Sequence, residues 1–291
     1  MALYKITDYV SKTANALTDY FLVDEGAGAY KKTGYGDLLA QLKDGWYWLT
    51  SVAPTISDID VNYAKFTFAN VDISTKLTLG DTFKWTQNSI VKMGFIHKIT
   101  YSAPNTVIEV WGGTDYTPLN STTYPVTGVY FGTKWSLGFP KDPTKWCITY
   151  TDATVTTITP VGNGTIYNPN SNAITLPIGN WNIQFSNRTY TYYHATTTFS
   201  GIVENALSEA NNSFTNVIGY NYIMRRSFIL DGAVQRIQEN ASGIINKYTV
   251  TSKKTLYFVY SYSVSEGSPS HFFSEGVSNR PINITAISAY L

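Results

Sequence analysis

Residues 255–264 alternate without interruption. Leu256, Phe258, Tyr260, Tyr262 and Val264 fall on one side, and Thr255, Tyr257, Val259, Ser261 and Ser263 on the other. A period of two is the signature of a β-strand. Ten residues of it commit this part of the chain to a sheet. The second side is mixed rather than polar, because Tyr257 and Val259 lie on it. In a sandwich, one face of such a strand meets the opposing sheet. The mixed face is then expected to be partly covered as well, and a second subunit is one way to cover it.

Shorter runs repeat the pattern. Within 106–111, Val107, Glu109 and Trp111 alternate with Ile108 and Val110, and Gly112-Gly113 closes the run. Trp181, Ile183 and Phe185 alternate with Asn182 and Gln184. Tyr190 and Tyr192 alternate with Thr189 and Thr191, and Ile282, Ile284 and Ala286 with Asn283 and Thr285. Further strands are expected at 64–69, 72–79, 82–85 and 90–101, with Phe228, Leu230 and Ile237 marking others. The 291 residues include 38 Thr and 23 Tyr, while only 14% are charged. Such side chains suit a pleated, half-buried surface. The chain is therefore expected to be all-β.

At about 150 residues per domain the length predicts two domains and a small extra segment. Residues 1–45 are that segment, too short to bury a core alone. It is mixed: weak helical turns at 7–17, a strand through Tyr20, Phe21, Leu22 and Val23, a glycine turn, and a return strand from Tyr30. Asp37 is placed to cap a short helix carrying Leu38 and Leu39 and ending at Gly45. Residues 46–150 hold closely spaced strands that predict a small barrel or sandwich. Gly138-Phe139-Pro140 and Asp142-Pro143 close that unit, and residues 151–291 form the next.

Several functions are excluded on charge and spacing. The net charge is +1 and is spread evenly, so no basic field points to nucleic acid. No apolar run approaches the roughly 20 residues of a membrane-spanning helix, so membrane insertion is not expected. The single cysteine, Cys147, permits no internal disulfide and no cysteine-built zinc site. It lies in Trp-Cys-Ile-Thr-Tyr, a setting that suits burial. The start Met-Ala-Leu-Tyr-Lys has no secretory apolar region, so synthesis in a cytoplasm without export is expected.

Catalytic spacing is missing too. His97, His194 and His271 lie far apart, with no metal-binding pair spacing. There is no nucleophile elbow and no P-loop, and Gly26-Ala27-Gly28 reads as a hairpin turn. Asp58, Asp60 and Asp72 cluster, as do Asp115 and Asp142, and a glycosidase needs such a carboxylate pair. Depolymerases of that kind sit on long repeats, and this chain has none. Neither enzymatic activity nor a metal or other cofactor is expected.

Binding is the alternative use of the aromatic residues, since Tyr and Trp make rigid contacts and stack on sugars. One candidate is the stretch Tyr190, Tyr192, Tyr193 and His194. The other is His271, Phe272 and Phe273, in a loop spanning 266–280. The two phenylalanines either tuck into a core or face a partner. Arg225-Arg226 is read either as an anion site or as solvated strand charge.

Three resemblances carry the reading further. Residues 79–87 (Leu-Gly-Asp-Thr-Phe-Lys-Trp-Thr-Gln), the stretch 91–99, residues 105–117 (Asn-Thr-Val-Ile-Glu-Val-Trp-Gly-Gly-Thr-Asp-Tyr-Thr) and Gly138-Phe139-Pro140 together resemble a small β-barrel module. That module is common in bacteriophage tail fibres and baseplate-associated proteins. Leu176-Pro177-Ile178-Gly179-Asn180-Trp181, Arg226-Ser227-Phe228-Ile229-Leu230-Asp231-Gly232 and residues 251–258 resemble the jelly-roll heads of phage fibres, which are similar in shape to tumour-necrosis-factor and C1q heads. Residues 22–32 and Asp37-Leu38-Leu39 are similar to N-terminal virion-docking segments.

The resemblance implies an all-β virion protein with a short mixed docking segment (1–45), a small β-barrel (46–150) and a C-terminal jelly-roll sandwich (151–291). It implies a homotrimer whose Tyr20, Phe21, Leu22, Val23, Tyr30, Leu38 and Leu39 meet other virion proteins. Its head would meet a host surface glycan or protein, and the chain would be made in the bacterial host. A purely structural baseplate, collar or head-fibre component is the alternative, and a polysaccharide depolymerase a third.

Overall fold

The computed structural model describes residues 20–24, 30–34, 44–60, 62–132, 136–154, 156–158, 164–168, 170–193, 199–228, 235–266, 272–275 and 282–291. They are mostly antiparallel sheet. Strands β1 (Tyr20–Asp24) and β2 (Tyr30–Gly34) form the expected hairpin, with Val23 opposite Lys31 and Phe21 opposite Thr33. The helical turns expected at 7–17 and 38–42, and with them Leu38 and Leu39, lie outside the described residues.

Seven strands follow: β3 (Tyr47–Thr50), β4 (Thr55–Asp60), β5 (Tyr63–Phe68), β6 (Thr82–Gln87), β7 (Ile90–Ser102), β8 (Asn105–Trp111) and β9 (Val126–Gly132). They make one sheet in the order β3-β9-β6-β7-β8-β5-β4. Laid flat, its two edge strands would stand about 29 Å apart. Yet the connection from Thr50 to Thr55 reaches at most about 19 Å. The sheet must therefore curl, and both edges give side chains to one core. Leu49 of β3 and Ile56 of β4 lie in the cluster built around Phe66, Phe83, Trp85 and Ile108. This curled sheet, called the barrel below, fits the small barrel or sandwich the strand spacing predicts.

The strand expected at 72–79 is instead a 3-10 turn, Ser74–Lys76. The Asp72 carboxylate accepts from the Ser74 backbone N–H at 2.9 Å and from its hydroxyl at 2.6 Å, which bends the chain. Ile73 and Leu77 then drop into the barrel core as a plug. The barrel's loop 112–125 is pinned by three side chains. Asn62 Nδ2 donates to Gly113 O at 2.6 Å, and Lys92 Nζ to Thr117 O at 2.5 Å. Gln87 donates to the carbonyls of Leu119 and Tyr124 and accepts from Leu119 N–H. Burial lowers the pKa of Lys92.

The second unit has strands β10 (Cys147–Asp152), β11 (Thr156–Ile158), β12 (Ile166–Tyr167), β13 (Ala173–Leu176), β14 (Gly179–Tyr193), β15 (Phe199–Ser208), β16 (Val217–Phe228), β17 (Gln235–Val250), β18 (Lys254–Glu266), β19 (Phe272–Glu275) and β20 (Ile282–Ser288). Three of its positions are broken strands: β10 with β11, β12 with β13, and β19 with β20. Counting each as one, the first sheet runs β10/β11, β20/β19, β14, β17, and the second β12/β13, β18, β15, β16. Two four-stranded antiparallel sheets in that order are a jelly roll.

Its core alternates as the sequence does. Trp181, Ile183 and Phe185 of β14 face Leu256, Phe258 and Tyr260 of β18, with Ile282, Ile284 and Ala286 alongside. Farther along β14 the interior turns polar, and Asn187 donates to Asn205 between the sheets at 3.4 Å. On the mixed face of β18, Val259 and Ser261 are buried within the single chain, while Thr255 and Tyr257 are half-buried. Val259 and its register partner Ala206 are both 0% exposed, and Ser261 donates to Glu204 at 3.1 Å.

Barrel and jelly roll share a hydrophobic cluster. Trp46, Phe95, Trp111, Phe139 and Trp146 join Trp181 and the jelly-roll core in it. Phe139 stacks on Trp146 with centroids 4.9 Å apart, and Trp111 meets Trp181 edge-on at 4.9 Å. Much of the aromatic excess is used here. No helix among the described residues is long and apolar enough to cross a membrane.

Candidate functional site

The two ends of the jelly roll differ. One end meets the barrel, through residues 177–181, 253 and 290. At the other end β14 finishes at Tyr193, opposite Gln235, and β15 begins at Phe199, opposite Phe228. The 11 residue steps from Trp181 to Tyr192 carry the strand roughly 37 Å from the junction. Both aromatic candidates lie at this remote end. Residues 266–280, expected as loop, contain strand β19, which inserts between β14 and β11. Tyr192 pairs with Phe272, Thr191 with Phe273, and Tyr190 with Ser274. Stretches 80 residues apart in sequence thus form adjoining rows. Gly201 opposite Arg226 places the arginine pair toward the same end. His194 and His271 lie outside the described residues.

At the near end a cleft of about 530 Å³ opens between the two units, lined by Asp60, Tyr63, Trp111, Tyr150, Pro177 and Lys253. The ion pair of Lys253 with Asp60 spans it. Tyr63 donates to Glu109, which also faces Lys98 at 3.3 Å. Burial, with the Asp58 charge second, pushes Glu109 up from the usual carboxylate range.

The five aspartates considered as possible acid pairs all serve the fold. Asp58 pairs with Lys65 at 2.6 Å, Asp60 with Lys253 and Asp115 with Lys145. Asp72 and Asp142 cap turns at Ser74 and Thr144. The bond from Lys145 holds Asp115 below its ordinary value, and the bond from the Thr144 hydroxyl does the same for Asp142. A general acid needs the opposite shift. Among the described residues, no group of three His, Cys, Asp or Glu side chains could hold a metal ion.

His97 stands out in a way its sequence neighbours did not signal. Ile96 pairs with Val110 and Lys98 with Glu109, so His97 is the extra residue of a β-bulge. A bulge re-aims the side chain it carries. Here it sends the imidazole out of the barrel and into the jelly roll. The ring is 3% exposed and lies among Trp111, Trp181 and Tyr290, with centroids 5.3–5.9 Å away. Its Nδ1 meets the carbonyl of Ile178. A carbonyl only accepts, so Nδ1 carries the hydrogen. Nε2 is buried with no hydrogen-bond partner among the described residues. Burial pushes the imidazole down to about 4, against a smaller opposing effect of the Ile178 bond.

Gly179 packs on that ring with φ +146°, and a Cβ there would stand 2.7 Å from His97 Nδ1. Gly179→Ala is expected to cost about 2 kcal/mol or more through strain and loss of the Ile178 bond, read from urea unfolding. Gly80 gives way to Tyr290 in the same manner, its added Cβ falling 2.5 Å from the ring.

No protein-family model matches the chain, and no curated protein matches it. Solved structures do. A point mutant of the VP2 protein of infectious bursal disease virus, in T=1 particles, is 10% identical with a TM-score of 0.25. That match covers 92% of this chain and 66% of the other. The infectious bursal disease virus Gt strain is 10% identical at a TM-score of 0.24, with 82% and 63% covered. The chain spans just under two thirds of the length of these proteins.

Proposed function

We propose that the chain is a bacteriophage virion protein, a trimeric tail-fibre or receptor-binding protein that attaches the particle to the host cell surface. The jelly roll is the head. Its end remote from the barrel meets a host glycan or protein through the rows of Tyr190, Tyr192, Phe272 and Phe273. The segment with the Tyr20–Asp24 and Tyr30–Gly34 hairpin docks on other virion proteins. The protein works by non-covalent attachment, without catalysis or cofactor, and is made in the bacterial host. The observation that carries this reading is the register pairing Tyr192 with Phe272 at the end away from the barrel. Three weak sites on one trimer gain from avidity, by a factor of about 10²–10⁴.

The test is adsorption. The purified protein is expected to coat host cells and block infection. Tyr192→Ala and Phe272→Ala are each expected to weaken adsorption about tenfold or more with the melting temperature unchanged. Three chains of 32.4 kDa should give a native mass of about 97 kDa by light scattering. A protein that enters virions yet neither adsorbs nor competes is a structural component, and the attachment reading fails. Reducing-end release from the host glycan would overturn the non-catalytic part.

A further inference from the structure

We propose that His97 is an acid-operated latch: protonating its imidazole separates the barrel from the jelly roll while each unit keeps its own sheet structure. The inference is independent of the attachment reading and rests on the junction's geometry. The bulge delivers one ring from the barrel into a pocket made by the jelly roll. In its neutral form that ring gives one hydrogen bond, to Ile178. A second proton would go on Nε2, which has no acceptor partner among the described residues. A buried cation without a partner is strongly disfavoured, so the ring gains its proton by leaving the pocket.

The other ionisable groups on the surrounding elements are already engaged. Lys98, next on β7, faces Glu109 of β8 at 3.3 Å. Asp81, in the turn beside Gly80, accepts from Thr78 N–H at 2.7 Å. The Tyr290 hydroxyl accepts from Asn180 at 2.9 Å. Lys253 and Asp60 hold each other across the cleft. None of these provides a carboxylate to an imidazolium at His97. Separation leaves the barrel intact because Phe66, Phe83, Trp85 and Ile108 belong to a cluster of its own.

The direction in pH follows. The folded value lies below the ordinary 6.5, at about 4. The stability this group confers is therefore full above pH 6.5 and lost as the pH falls toward 4. The experiment uses the full chain between pH 7.5 and 4. Tryptophan emission should shift to the red and the radius of gyration should rise, with a midpoint between pH 4 and 6.5. Far-UV circular dichroism should stay unchanged. His97→Asn keeps a donor for Ile178 but cannot titrate, and it should abolish the transition. Lys253→Met should retain it. In a His194→Gln, His271→Gln double variant, the sole histidine resonance should titrate together with the fluorescence. The latch is overturned if the wild type stays closed to pH 4 or if His97→Asn opens at the same pH. It is equally overturned if the sole histidine titrates apart from the opening.

Discussion

Replacing Trp181 with alanine should lower the free energy of unfolding by about 3–5 kcal/mol, the range for deleting a buried aromatic ring. The ring is wholly buried, touches Trp111 edge-on at 4.9 Å and donates through Nε1 to Pro177 O at 3.1 Å. Its loss leaves a hole where the jelly-roll core meets the barrel. Urea unfolding should therefore show barrel and jelly-roll probes losing stability together. A cost below about 1 kcal/mol would mean that the cavity collapses, or that the units do not support each other through this ring.

Gln87→Leu should cost about 3 kcal/mol, through three hydrogen bonds lost at once. Gln87 lies buried in the barrel and satisfies three backbone groups of loop 112–125: the Leu119 and Tyr124 carbonyls, at 2.9 and 2.8 Å, and the Leu119 N–H at 2.9 Å. Each loses its partner at a part-buried site, worth about 1 kcal/mol apiece. Urea unfolding gives the total. Hydrogen exchange gives the location, because the Leu119 amide should lose its protection. Unchanged exchange there would show that the loop is held without Gln87, by its other anchors at Asn62, Lys92 and Ile56.

What the sequence made legible was local. Alternation at 106–111, 181–185, 255–264 and 282–286 marked true strands, because each lays one run of alternate apolar residues into a core. The curl of the barrel was implied by many short strands. Residues 72–79 misled because their apolar residues suit a strand, while the Asp72 side chain competes for the backbone and bends it. Pairing was out of reach. Tyr192 and Phe272 were each visible as aromatic residues in a suggestive setting, but their adjacency depends on register between distant segments. His97 read as one of three scattered histidines. Its role depends on a single extra residue in β7, and the break in alternation that it causes, from Ile96 to Ile99, does not by itself identify a bulge.

One consequence concerns the order in which the chain leaves the ribosome. Strand β20 lies between β10 and β14, with Cys147 opposite Ile287. Those partners are separated by roughly 140 residues, and at about 5–20 residues per second the first waits on the order of ten seconds for the second. The barrel's partners all fall within residues 47–132, so its sheet can close during that interval. The jelly roll's first sheet cannot. Until β20 arrives, β10 and β14 present open hydrogen-bonding edges to any nascent neighbour. On a polysome, those neighbours are other copies of the same strands.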